Sequence, residues 1–470
     1  MKKVCLLIWI LLIALTNILA QSIADKLKTA VAVLEKDKQL RHAILGFYVA
    51  DAKTGKAIFE KNAQVGLAPA STQKIITSVT AFELLGKQFR FKTTLGYNGR
   101  IADGVLKGNL FITGTGDPTL GSWRYDATKE DKILQSIVRL IKENKIQRID
   151  GSVYIDEPGF SIQTIPDGWI WQDIGNYYGA GSWGFNWREN QYDLVLQPGK
   201  KAGDTTTING TKNKLANVDL TNAITTANRG TGDNAYIYLA PYSTFGFATG
   251  TIPLGDNFTI SGSMSNPPMQ FAAELENAFS KNDVKVTGGY KYAIQKFSDR
   301  QGWQKPEFAI DSILSPGFEQ INYWFLKKSI NLYGEALIKT LAYRDSGFGS
   351  TDKGVEIVKQ FWKRRNIEPA AINIIDGSGL SPQNRLTTQA LGYVLLFAKT
   401  RSWFPSFYEA LPVFNGMKIK SGSIGGARSF AGYHTSAGGK EYVFAVIVNN
   451  YDGSSADVVN KIYKLLDVLK

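Results

Sequence analysis

Three short clusters in the 470-residue chain carry side chains that could do covalent chemistry. The first is Ser71-Thr72-Gln73-Lys74, just after Pro69 at the start of a helical run. A spacing of i,i+3 puts the serine hydroxyl and the lysine amine on one helix face. A serine beside an amine that can take its proton is a nucleophile–base pair. The surrounding Ala68-Pro69-Ala70 and Ile75-Ile76 would desolvate Lys74 and favour the neutral amine that a base requires. The second cluster is Ser329-Ile330-Asn331, between two helical runs, and the third is Lys420-Ser421-Gly422-Ser423, on a strand after Met417. Each has a decoy in the same chain. Ser350-Thr351-Asp352-Lys353 reads as a helix cap, Ser280-Lys281-Asn282 repeats the serine–asparagine pattern, and Lys53-Thr54-Gly55 reads as a hairpin turn. Order and context separate the copies: serine–lysine at a helix start, serine–asparagine at a helix junction, then lysine–hydroxyl–glycine on a strand near the C-terminus.

Composition removes several other chemistries. The sole cysteine, Cys5, lies in an N-terminal segment in which Met1-Lys2-Lys3 precedes an apolar run from Val4. That segment, 1–20, reads as a secretory signal peptide cleaved after Ala20, because its apolar run falls short of the roughly 20 residues a membrane helix needs. An uncleaved anchor is the alternative. A mature chain without thiols excludes cysteine nucleophiles, disulfides and thiolate metal sites. Only His42 and His434 are present, so a histidine-rich metal site is excluded and a Ser-His-Asp triad would have to use one of them. Both read as surface or hairpin residues, which leaves lysine or a carboxylate as the base. The net charge of +13 suits a polyanionic neighbourhood such as cell wall, membrane surface or nucleic acid. The export signal and the lack of a dense Lys/Arg stripe argue against nucleic acid.

The elements that must position these residues follow from periodicity. Helical spacing covers 22–37, 129–144, 267–280, 317–343, 353–365 and 387–399, with a helix from Pro69 to Leu85 and another from Ala456 to Leu469. Ala43 to Val49 and Ala57 to Phe59 read as a hairpin. Strand character runs from 414 to 433 and again over 441–449, with a turn at Ser436 to Lys440. From about 96 to 310 the texture is Gly-, Thr-, Asn- and Tyr-rich with short strands such as Asn109 to Ile112 and Ser152 to Ile155. One α/β domain split by a long insertion accounts for this pattern.

Four longer strings complete the reading: Gly114-Thr115-Gly116-Asp117-Pro118-Thr119-Leu120, Gly151 to Asp156, Pro166-Asp167-Gly168-Trp169-Ile170-Trp171-Gln172-Asp173 and Asp376-Gly377-Ser378-Gly379-Leu380-Ser381. With the three clusters they make the chain resemble the low-molecular-mass class C penicillin-binding proteins, serine D-alanyl-D-alanine carboxypeptidases and endopeptidases, over essentially its whole mature length. The resemblance implies a penicillin-recognising, serine β-lactamase-like α/β/α sandwich interrupted by two β-rich domains, one nested in the other. On this chain the boundaries become 21–95 and 311–470 for the catalytic domain, 96–118 and 205–310 for the inserted domain, and 119–204 for the nested one.

The resemblance also implies roles. Ser71 would be the acylated nucleophile and Lys74 its base, with Lys420 lowering the pKa of Lys74 by like-charge repulsion. Ser329 would relay a proton to the leaving D-alanine nitrogen, and Asn331 would hold the substrate amide. Lys420 and Ser421 would bind the terminal carboxylate beside Gly422, and the N–H groups of Ser71 and Ser423 would form an oxyanion hole. Asp173 would face the free amine of the stem-peptide side chain, or be a cap or structural ion-pair partner. Gly377 and Gly379 would allow backbone turns near the site. The implied partners are peptidoglycan stem peptides ending in D-Ala-D-Ala, crosslinked muropeptides, and β-lactams as covalent inhibitors. The location would be periplasm or cell envelope, with loose membrane or wall association open; no metal or other cofactor is implied. Two departures stand out: the third motif reads K-S-G where K-T-G is common, and Gly334 stands where alanine is frequent. A β-lactamase-like or D-amino-peptide hydrolase on the same scaffold and a non-catalytic wall-binding relative are the alternatives.

Overall fold

The first and last strands of the chain are close neighbours. The computed structural model describes residues 22–211, 215–297 and 302–470, so the expected leader 1–20 and Cys5 lie outside the described residues. Its main sheet has six strands in the order β2-β1-β6-β5-β4-β3, all antiparallel. They are β1 Ile44–Asp51, β2 Ala57–Lys61, β3 Val413–Phe414, β4 Met417–Ile424, β5 Ala427–Thr435 and β6 Glu441–Asn449. The register between the two ends of the chain sets Ile44 opposite Asn449 and Asp51 opposite Tyr442. β6 is buried along almost its whole length because helices cover both faces, which is why Tyr442 to Val448 reads as an unbroken apolar run rather than an alternating one.

On one face lie α1, Ile23–Glu35, and α8, Ser455–Leu466. Their Leu27, Val31, Val458 and Ile462 pack with Phe47, Phe444, Val446 and Val448 of the sheet. On the other face lie α2 Lys74–Leu85, α3 Phe318–Lys327, α4 Asn331–Ser346, α5 Thr351–Lys363, α6 Thr388–Lys399 and α7 Phe404–Ala410. Their core, including Ile76, Val79, Leu337, Val358 and Leu391, meets Val443, Ala445 and Ile447, the residues of β6 that point the opposite way. The expected α/β/α sandwich is the fold of the protein.

Within 317–343 the two helical runs on either side of Ser329 are α3 and α4, and they part at Ser329, whose φ of +58° no α-helix accommodates. The strand-like stretch 414–433 folds back on itself at Gly425-Gly426, with Gly426 at φ +69°. α7 is only 7 residues long and has Pro405 in its first turn, too short to show a periodic pattern. Among the decoys, Ser350 caps α5 by accepting from the Lys353 N–H, and Asp51 gathers the N–H groups of Lys53 and Thr54 in the β1–β2 turn.

The insertion groups differently from the expected boundaries. A five-stranded sheet orders Tyr290–Tyr292, Val153–Asp156, Leu110–Thr113, Lys92–Tyr97 and Phe308–Leu314 side by side. Helices Glu130–Glu143 and Pro267–Ser280 share its core through Ile137, Ile141, Phe271 and Leu275. Two three-stranded sheets between Gln191 and Ser263 form a separate core around Tyr192, Leu194, Ile224 and Ile252. The nested unit is therefore 191–263 rather than 119–204, since Val153–Asp156 pairs with Leu110–Thr113 in the outer sheet. Boundaries at 95/96 and 310/311 likewise cut strands that pair with each other; the joint lies just outside them, where the Phe91 N–H donates to Ser315 Oγ at 2.8 Å. Strand partners are non-local, so composition along the chain does not record them. Among the described residues, no helix is long and apolar enough to cross a membrane.

Candidate active site

Ser71 sits in a 3-10 turn, Ala70–Gln73, which leads directly into α2 at Lys74. The residue before it, Ala70, is fully buried and held at φ +47°. Such left-handed alanine conformations persist only where the surroundings enforce them. Part of that enforcement is Gly379, at φ +81°, where a Cβ would come within 2.1 Å of the Ala70 carbonyl oxygen. On the other side runs β4: a Cβ on Gly422 would lie 2.6 Å from Pro69 O and 2.9 Å from Ser71 N. The serine turn is thus wedged between a loop and a strand that both require glycine at the contact.

Lys74 Nζ lies 2.9 Å from Ser71 Oγ, 2.6 Å from Asn331 Oδ1 and 2.8 Å from the Ser378 carbonyl oxygen. The lysine has no exposed surface. Burial lowers its pKa to about 7, against the opposing pull of Asp376 and Glu335. Lys420 is in turn driven well below the ordinary lysine range, by burial and then by the repulsion it shares with Lys74. Desolvation is the largest influence on the Lys74 amine. A neutral amine keeps two hydrogens and one lone pair. Asn331 Oδ1 and the Ser378 carbonyl can accept only, so with Nζ neutral the two hydrogens go to them and the lone pair faces the Ser71 hydroxyl.

In front of this pair opens a cleft of about 480 Å³ lined by Ser71, Ser329, Asn331, Ser421, Ser423 and Asp173, with Tyr177, Tyr178 and Arg124 on its wall. Lys420 is buried and donates to the Ser421 carbonyl at 2.7 Å. The three clusters, the outer two 349 residues apart in sequence (71 to 420), meet here. Ser329 reaches the cleft because the left-handed kink between α3 and α4 turns it out of the helical path. Asp173 belongs to the short helix Trp171–Ile174 of the insertion, and burial raises its pKa while a hydrogen bond from Tyr178 opposes the rise. His42 and His434 are not among the residues lining the cleft.

Sequence reasoning missed the backbone partners. Asn331 Nδ2 donates to the Tyr178 carbonyl at 2.7 Å, so both ends of its amide are already engaged. The Ser378 carbonyl completes the shell of Lys74. Below them Asp376 is fully buried and accepts from Gln73 Nε2, the Gly379 and Ser381 N–H groups, Asn384 Nδ2 and Trp169 Nε1, at 2.8 to 3.0 Å. Two of the strings noted in the sequence, Pro166-Asp167-Gly168-Trp169 and Asp376 to Ser381, are bonded to each other through Trp169 and through Ser381 Oγ, which donates to Gly168 O. The strings were visible; their pairing was not. Gly334 also finds its reason, since a Cβ there would stand 2.9 Å from the Gly377 carbonyl oxygen.

A three-layer sandwich carrying a serine and a buried lysine at one turn of a helix defines a serine peptidase of the penicillin-recognising fold. Within that class the chain belongs to the D-Ala-D-Ala carboxypeptidase 3 (S13) family, whose model matches residues 27–469. It is 25% identical over 457 residues to a D-alanyl-D-alanine carboxypeptidase of Actinomadura sp. (strain R39), covering 90% of this chain and 80% of the relative. With D-alanyl-D-alanine carboxypeptidase DacB of Haemophilus influenzae it shares 24% identity over 453 residues, covering 89% and 87% of the two chains. The crystal structure of penicillin binding protein 4 (dacB) from Haemophilus influenzae superposes with a TM-score of 0.79 at 22% identity, covering 93% of this chain and 98% of that one. The protein is a serine-type D-alanyl-D-alanine carboxypeptidase.

Proposed function

We propose that Ser71 is the residue acylated during removal of the terminal D-alanine from peptidoglycan stem peptides, with Lys74 as its general base. The observation that carries this reading is the 2.9 Å approach of a fully buried lysine Nζ to Ser71 Oγ. As the oxygen attacks the carbonyl of the penultimate D-alanine, its proton passes to Nζ. The oxyanion forms against the N–H groups of Ser71 and Ser423, on the two segments that Gly422 allows to touch. Collapse breaks the peptide bond, and the leaving amine takes a proton from Lys74 by way of the Ser329 hydroxyl. Water then hydrolyses the ester, with Lys74 accepting its proton.

Binding follows the same surface. Lys420, with the Ser421 hydroxyl, receives the terminal carboxylate, and Asp173 meets the side-chain amine of the stem peptide. Asn331 acts first on Lys74; its remaining Nδ2 hydrogen is available to a substrate carbonyl. Crosslinked peptides place a D-alanine carbonyl in the same position, so the same steps open crosslinks. The relative from Haemophilus influenzae has been crystallised with a β-lactam, and we extend β-lactam acylation to Ser71 here. The lysine-tipped apolar N-terminal segment and the +13 charge support a place in the cell envelope against an anionic wall.

Intact-protein mass spectrometry with benzylpenicillin, followed by peptide mapping, tests the assignment. An adduct on Ser71 that vanishes in Ser71→Ala, with the fold unchanged, is the expected result. An adduct on any other residue would refute it, and hydrolysed drug without an adduct would identify a rapidly deacylating, β-lactamase-like enzyme.

A further inference from the structure

The outer face of one nested sheet is paved with aromatic rings. That sheet has Phe245–Pro253 in the middle, with Asp219–Ala227 and Asn234–Tyr238 on its two sides. Side chains alternate across it, so Ile224, Ile237, Ala248 and Ile252 enter the core while Phe245, Phe247, Tyr236 and Tyr238 point away from it. Phe245 is 59% exposed and Phe247 39%, large apolar surfaces turned to solvent. Tyr238 stands opposite Phe247 in the register, and their rings stack with centres 4.8 Å apart and planes 14° from parallel.

The row continues to the serine cleft. Tyr238 meets Trp171, with ring centres 5.7 Å apart, and Trp171 is 49% exposed. Trp171 opens the short helix that carries Asp173. The Asn176 side chain ties that helix to the edge strand: Nδ2 donates to the Gln172 carbonyl at 2.7 Å, and Oδ1 accepts from the Ile237 N–H at 3.1 Å. A Cβ on Gly175 would come within 2.0 Å of the Ile237 carbonyl oxygen, so the helix end and the strand touch backbone to backbone. Tyr177, exposed, and Tyr178 follow on the wall of the cleft, with ring centres 5.4 Å apart. An aromatic track therefore runs from the nested sheet to the space in front of Ser71.

The chemistry of this face selects its occupant. Beside the rings the outward positions include Thr221, Thr249 and Thr251, and among the described residues of the three strands the only charged outward side chain is that of Asp219. A face without cations has nothing to hold a polyanion or an anionic bilayer. Flat rings interspersed with hydroxyls suit pyranose sugars, whose C–H faces lie against aromatic planes and whose hydroxyl and acetamido groups reach hydroxyl partners. Peptidoglycan stem peptides hang from a chain of such sugars. In the peptide pose proposed above the acyl half passes Asp173, two residues from Trp171, so its sugar-bearing end leaves the cleft on the side of the track. Resting on that peptidase reading, we propose that the outer face of the nested sheet, together with Trp171, binds the glycan strand of peptidoglycan and brings polymer-borne stem peptides to the cleft.

Glycan strands stripped of their peptides by an amidase test the surface apart from the reaction. Calorimetric titration of the full chain should show binding at about 0.15 M and still at about 0.5 M NaCl, because stacking is not screened whereas attraction of the +13 chain to the uncovered lactyl carboxylates is. Phe247→Thr should raise the Kd about tenfold or more, the scale of one lost aromatic platform, and leave benzylpenicillin labelling and turnover of a free pentapeptide unchanged. Trp171→Ser should weaken glycan binding to a similar degree, and carries the test if Phe247→Thr does not fold. No binding by the wild type, binding abolished at the higher salt, or affinity undiminished in the variants would each overturn the proposal. So would a wild-type dimer that Phe247→Thr dissolves with glycan affinity unchanged, since the face would then join two copies of the chain. Absence of benzylpenicillin labelling in the wild type is a different result, and would overturn the acyl-enzyme reading itself.

Discussion

At the scale of single residues, the decisive quantity is the protonation of Lys74. Burial holds its pKa at about 7, so the fraction of neutral amine rises with pH through that value. In the proposed acylation Lys74 acts as a base, so its deprotonated form is the active one, which fixes the sign. We expect the rate of acylation by benzylpenicillin to climb about tenfold per pH unit below 7 and to level off above it. A stopped-flow or quenched mass-spectrometric profile that is flat between pH 5.5 and 8.5 would remove Lys74 from this role. Asp376 makes a second residue-scale case. In Asp376→Asn one oxygen becomes an NH2 group, and if it replaces Oδ2 it faces the donors Trp169 Nε1 and Ser381 N–H. Two buried donors left without an acceptor predict a loss of about 2–5 kcal/mol in unfolding free energy, measurable by denaturant titration. A loss under about 1 kcal/mol would show that the network relaxes around the change.

At the scale of elements, the site depends on how closely β4 approaches the turn before α2. Gly422→Ala would bring a methyl group to 2.6 Å from Pro69 O, which forces the strand and the serine turn apart. We expect a fall of at least about 100-fold in the rate of benzylpenicillin acylation, the scale of one lost oxyanion donor, beside an overpacking cost of about 1–3 kcal/mol in stability. Undiminished acylation would mean that the two segments are not held at the reacting distance. The break between α3 and α4 belongs to the same scale. A continuous helix across 317–343 would have carried Ser329 along the helical path, whereas the kink at φ +58° delivers it to the cleft.

At the scale of the whole molecule, the insertion forms one wall of the active site, and α4 anchors it. Lys339 on α4 is buried, and its Nζ donates to the carbonyl oxygens of Gln163 and Ser182, at 2.7 and 2.8 Å. Burial lowers its pKa to about 8, while the nearby carboxyl of Glu157 is raised to about 7, also by burial. Lys339→Met would strand both carbonyls. We expect a loss of about 2–4 kcal/mol and faster amide hydrogen exchange across 157–185, where the wall of the cleft is tied down. Unchanged exchange there would show that the insertion is held by its other contacts alone.

The sequence by itself determined the parts that depend on neighbours along the chain. Ser71 and Lys74 are adjacent on a helical turn whatever the rest of the fold does, and the apolar residues around them announce burial of the amine. Gly55, Pro69 and the periodic stretches set most helices and the first hairpin, because turns and amphipathic faces are local. The tertiary structure alone decided what meets across long separations. It paired Val153–Asp156 with Leu110–Thr113 and so moved the nested unit to 191–263. It set Asp376 under Trp169, gave Lys74 the Ser378 carbonyl as its third partner, and brought the Asp376 and Glu335 carboxylates within reach of its charge. Backbone carbonyls carry no residue signature, and the desolvation that prepares Lys74 exists only once α2, α4 and the Asp376 loop have closed around it.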